Sequence, residues 1–110
     1  MCRAVTVLCV ADDAQSLSAL KHAAVGAEWE LTDGATSVDE ALRQLGDTKA
    51  HVLVVWGDHA ELVRAARLRF PGVRIVADTR IPEANAVVAS LDDVREAIRR
   101  LPRPGGPVRA

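Results

Sequence analysis

Hydrophobic residues fall in two rhythms along this chain. Val5 to Val10 is an unbroken aliphatic and β-branched run, and His51 to Trp56 is the most apolar stretch of all. Such runs read as strands buried on both faces, as parallel strands are. Between them the spacing turns helical. Leu17, Leu20 and Ala24 predict a first helix over 14–25, with Gly26 as its stop. Trp29 to Thr32 is a short second strand before the Asp33-Gly34 turn. Ser37 and Glu40 form a capping box for a second helix over 38–45, closed by Gly46. Ala60 to Phe70 makes the third helix, ended by Pro71-Gly72. Val73 to Ala77 and Asn85 to Ala89 are the fourth and fifth strands. Ser90 begins a last helix to Leu101, with acids in its first turn and Arg99 and Arg100 in its last, as the helix dipole favours.

Alternating strands and helices imply an α/β domain with a doubly wound parallel sheet. Right-handed crossovers make the order 2-1-3-4-5 the economical solution. One connection departs from that scheme. Only about seven residues, Asp78 to Ala84, join strands four and five, where a parallel crossover needs about a dozen. The helix there is reduced or absent. Its loss should uncover an aliphatic face that invites a partner.

Composition narrows the function classes. At 110 residues there is room for one small domain, and 49% hydrophobic content excludes disorder as the main state. A net charge of −1 argues against direct nucleic-acid binding, and three aromatic rings are too few for a base-stacking platform. No apolar run approaches the ~20 residues of a membrane span. Cytoplasmic location and no membrane partner are the expectations. Cys2 and Cys9 do not make a disulfide framework, and Cys9 reads as a buried small hydrophobe. Pro102, Pro104, Gly105, Gly106 and Pro107 mark residues 102–110 as a disordered tail carrying Arg103 and Arg109.

The segments Val7–Asp13, Asp39-Glu40-Ala41-Leu42, Ala50–Trp56, Arg69–Val76 and Ala84–Val88, in this order and spacing, resemble the receiver domain of bacterial response regulators. The likeness covers residues 3–101 and implies a flavodoxin-like domain over 1–101. It implies that Asp12 and Asp13 form the family's acidic, magnesium-binding pocket and that Thr79 is the switch threonine. The departures bear on function. Trp56 stands where the family has its phosphoacceptor Asp, and Ser90 or Ala89 stands at the position of its lysine. Phosphoryl transfer to a carboxylate needs an in-line oxygen nucleophile, a divalent cation and a fixed positive charge. Trp56 supplies no nucleophile, and Lys21 and Lys49 lie elsewhere. Asp58, two residues beyond Trp56, is a substitute acceptor in an alternative reading in which Asp12 and Asp13 hold Mg²⁺.

Each candidate also has a plainer reading. Asp13 reads as a helix cap and Asp12 as its solvated neighbour. Trp56 is a plug filling a redundant pocket or an aromatic anchor for a partner. His22, His51 and His59 have no metal-ligand spacing and read as surface or loop residues. Ser16 and Ser18 have no His and acid near them in sequence. Two carboxylates after the first strand exclude a nucleotide phosphate loop. Arg64, Arg67, Arg69 and Arg74 form a basic patch, read as a solvated face or a site for an acidic partner. The expectation is a stand-alone, non-enzymatic receiver-like protein, not phosphorylated on Asp. It needs no cofactor, with Mg²⁺ the one left open. It regulates by binding a protein, or itself, through the strand-four/strand-five face. A small-molecule sensor with its ligand near Thr79 and Arg80 is the further alternative.

Overall fold

The computed structural model describes residues 5–26, 29–57, 59–81 and 84–101. Strand β1 (Val5–Val10) leads to helix α1 (Ala14–Ala24), β2 (Trp29–Leu31), α2 (Val38–Thr48), β3 (Val52–Val55), α3 (Ala60–Arg69), β4 (Arg74–Ala77) and β5 (Ala86–Val87). A 3₁₀ turn (Leu91–Asp93) then runs into α4 (Val94–Arg100). All neighbouring strands are parallel, in the order β2-β1-β3-β4-β5. Asp58 and the tail 102–110 lie outside the described residues, as does Cys2.

The unbroken apolar runs follow from burial on both faces. Leu8, Val10, Leu53, Val55, Ile75 and Ala77 point into one core, beneath Ala41 and Leu45 of α2 and Leu62, Val63 and Ala66 of α3. Val7, Cys9, Val52, Val54 and Val76 point into the other, beneath Leu20 and Ala24 of α1 and Val94 and Ile98 of α4. Trp29 belongs to this second core, and its indole Nε1 donates to the Ala24 carbonyl at 2.6 Å. Gly26 lets that ring lie against the backbone, since a Cβ there would sit 2.3 Å from it. Burial pushes the Cys9 thiol up to about 12.

Several sequence boundaries shift. Helix α2 passes through Gly46 to Thr48 and is capped by Lys49, which takes the left-handed conformation at φ 54°. The glycine signal misleads because the stop is set by that residue. Ser37 Oγ accepts from Glu40 N–H at 3.2 Å, but the Glu40 carboxylate goes to Arg43 and Gln44 instead of back to the cap. The last helix opens as a 3₁₀ turn, and Ser90 at its head makes no side-chain cap bond. His51 is a structural residue. Its Nδ1 accepts from Thr6 N–H at 3.0 Å, while its own N–H donates to Thr6 O at 2.8 Å.

The short β4–β5 connection changes the expected picture most. Among the described residues no helix lies between β4 and β5. Yet the face of β4 beneath it is not exposed, because Ile81 folds in at 6% exposure and Ala84 packs beside it. Asn85 completes the closure. Its Oδ1 accepts from Ile75 N–H and from Arg67 Nη2, both at 2.8 Å, and its N–H donates to Ile75 O at 2.7 Å. Arg67 also donates to Pro71 O and Val73 O. It is therefore a tie between α3, the following turn and the β5 approach, rather than part of a solvated face.

Candidate functional site at the carboxyl edge of the sheet

The carboxyl ends of β1, β3 and β4 bring Asp12, Asp13, Trp56, Gly57, His59, Asp78 and Thr79 to one edge. Each acid has a different task. Asp13 is the N-cap of α1, and its Oδ1 accepts from Ser16 N–H at 2.7 Å. The Ser16 backbone bond, with help from the Ser16 side chain, holds the Asp13 carboxyl below its ordinary value. Asp78 Oδ1 accepts from Gly57 N–H at 2.9 Å and so pins the turn after β3.

Asp12 faces His59, with Oδ1 2.9 Å from Nε2. The Asp12 side chain is 68% exposed and that of His59 only 13%. The two atoms approach closely, but Nε2 lacks an aligned hydrogen bond. Gly57 makes room for this arrangement. It sits at φ +106°, and a Cβ there would lie 2.9 Å from Asp12 Oδ2. The turn needs glycine both for its backbone angle and for the carboxylate lying over it.

Trp56 continues the inward alternation of Val52 and Val54. Its N–H donates to Val10 O at 2.8 Å, and its half-buried ring packs against the core beneath α1 and α4. Thr79 and Ser90 are exposed, and Ser90 Oγ lies 3.5 Å from Asp93 Oδ2. Lys21 donates to the Asp33 carbonyl at 3.0 Å.

Among the described residues no three His, Cys, Asp or Glu side chains gather as metal ligands. Asp13 is committed to its cap and Asp12 faces a histidine, so these two do not fit a shared Mg²⁺ as they stand. The sequence reading placed Asp12 and Asp13 here but missed His59 and Asp78. Nothing in the spacing links Asp12 to His59. An acid directly after β4, like those after β1, was the available sign for Asp78. Among the described residues no helix is long and apolar enough to cross a membrane.

No family model matches the chain, and no curated protein matches it. Solved structures do. The signal receiver domain of an HD domain-containing protein from Pseudomonas fluorescens superposes with a TM-score of 0.75 at 14% identity, over 89% of this chain and 94% of that one. Chemotaxis protein CheY4 of Vibrio cholerae gives 0.73 at 18% identity, over 89% and 98%. A CheY-like receiver domain protein from Methanospirillum hungatei gives 0.69 at 20% identity, over 88% and 92%. The strand order, the layers and these likenesses agree: the chain has the fold of response-regulator receiver domains.

Proposed function

We propose that this protein is a receiver-like signalling domain that acts by contact with another protein and takes no phosphoryl group on aspartate. The observation that carries the reading is Trp56. An indole with no nucleophilic oxygen directly follows β3, and its half-buried ring packs against the core beneath α1 and α4. The acids beside it support the same reading, since Asp13 caps a helix and Asp12 is drawn to His59. A carboxylate engaged in this way is poorly placed to share a cation with a neighbour. The protein is accordingly not an enzyme, and it requires no cofactor. Its contact surface is the β4–β5 side, where Arg80 is exposed beside the rebuilt loop and Val87 is half-exposed on the last strand.

The test is incubation with acetyl phosphate and Mg²⁺, read by intact mass and Trp fluorescence. No mass gain and an unchanged emission spectrum are expected. A phosphoryl adduct mapped to Asp58 would overturn the reading in favour of an unconventional acceptor.

A further inference from the structure

Charge is distributed unevenly along the chain. Residues 1–60 carry nine Asp and Glu against four Lys and Arg, whereas residues 61–110 carry six against ten. In the sheet, β2 and β5 are the opposite edges. Two surfaces concentrate the difference. On the β2 flank a groove runs between β2 and α2. Glu30, Asp33, Glu40 and Asp47 line it, with Arg43 as the only Lys or Arg among the described residues and Leu31 as its aliphatic side chain. Arg43 is already shared between Glu40 and Asp47, so the groove keeps an excess of negative charge.

On α3, which packs over the same core as α2, Leu68 in the last turn is 83% exposed, the most exposed large apolar side chain among the described residues. It stands between Arg67 and Arg69 in the chain. Arg67 is anchored on Pro71 O, Val73 O and Asn85, so one of the flanking cations is fixed in place, while Arg69 is exposed. An exposed apolar side chain flanked in the chain by two arginines is complementary in charge to a groove rimmed by carboxylates. Apolar contact excludes water, and opposite potentials set the orientation.

We propose that the occupant of the acidic groove is the Leu68 corner of a second copy of this chain. Both complementary surfaces belong to one molecule and are different surfaces, one between β2 and α2 and one at the last turn of α3. The contact is therefore heterologous, and each added copy leaves one groove and one Leu68 corner unused at the ends. Association proceeds head to tail beyond a dimer. The inference rests on the reading that the protein works through protein contacts, and it adds to the β4–β5 side a second pair of contact surfaces whose partner is a copy of the chain.

Sedimentation velocity across a concentration series, at about 50 mM and about 500 mM salt, tests it. The low-salt mass should climb past the dimer with concentration, and the high-salt mass should fall toward the monomer. A groove variant (Glu30→Lys with Asp47→Lys) and a corner variant (Leu68→Ser with Arg69→Glu) should each remain monomeric. Circular dichroism and thermal melting check that both are folded. Mixed together, they should form a one-to-one pair that does not grow, because each keeps the surface the other lacks. A wild type that is monomeric throughout, a closed symmetric dimer, or a mixture that stays monomeric overturns the proposal. None of these outcomes touches the acetyl phosphate result, so failure of the assembly and failure of the functional reading are separable.

Discussion

Replacing Asn85 with alanine tests the way the fold manages without a helix between β4 and β5. The Asn85 side chain stands in for a strand carbonyl by accepting the N–H of Ile75, a residue with no exposure, and it holds Arg67 with the same oxygen. Alanine removes the acceptor but leaves the backbone bond from Asn85 N–H to Ile75 O possible. An unpaired buried donor costs about 1–3 kcal/mol, and losing the charge-assisted bond to Arg67 adds about 1 kcal/mol. Water entering at the exposed side of Asn85 offsets part of this, which leaves a loss of about 2–3 kcal/mol. With a urea slope of about 1–3 kcal/mol per M, the midpoint should fall by roughly 0.7–3 M. Urea unfolding followed by Trp fluorescence reads this directly, since Trp29 is buried. Asn85→Asp keeps an acceptor for both donors and should lose far less. An alanine variant within about 0.5 kcal/mol of wild type, the range of ordinary surface changes, would refute the reasoning. So would an aspartate variant as unstable as the alanine one.

Gly57→Ala forces a Cβ against the Asp12 carboxylate at a left-handed backbone angle, and should cost about 1–3 kcal/mol in the same urea assay. Adding Asp12→Gly should recover only the steric part. Asp13 and Glu40 both have carboxyls held below their ordinary values, by the Ser16 backbone bond and by Arg43 respectively. Their stabilisation is therefore present at neutral pH and lost as pH falls through those lowered values. Melting temperature measured from pH 7 to pH 3 should drop at the acid end, and Asp13→Asn, which still caps the helix, should shallow that drop. Cys9, its thiol raised to about 12 by burial, should resist iodoacetamide in the folded protein, and peptide mapping should find it modified only once denaturant unfolds the domain.

The layered parallel sheet was readable because Val5–Val10 is a β-branched and aliphatic run and Val52–Val55 is apolar at every position, as burial on both faces favours. The short β4–β5 connection was readable from residue count alone. Its consequence was not. A single inward Ile81 and an Asn acting as a strand residue leave no periodic trace, so the sequence suggested an open face where the structure is closed. The end of α2 was missed for a related reason: Gly46 carries the usual stop signal, but tertiary packing carries the helix two residues further. At the sheet edge, Asp12, Asp13 and Trp56 were identifiable from their place after strands. The Asp12–His59 approach depends on the left-handed turn at Gly57, a backbone property that side-chain spacing does not report. Likewise His51 looked like a loop residue until its ring nitrogen was found completing the pairing of β1.

The most direct test of the central claim is the amide and indole NMR spectrum recorded with Mg²⁺ and then with beryllofluoride added. If the indole of Trp56 has replaced the acceptor chemistry, signals from Asp12, Gly57, Thr79 and the Trp56 indole should stay in place through both additions. Saturable, Mg²⁺-dependent shifts at those four positions on adding beryllofluoride would show a working acceptor site and contradict the account.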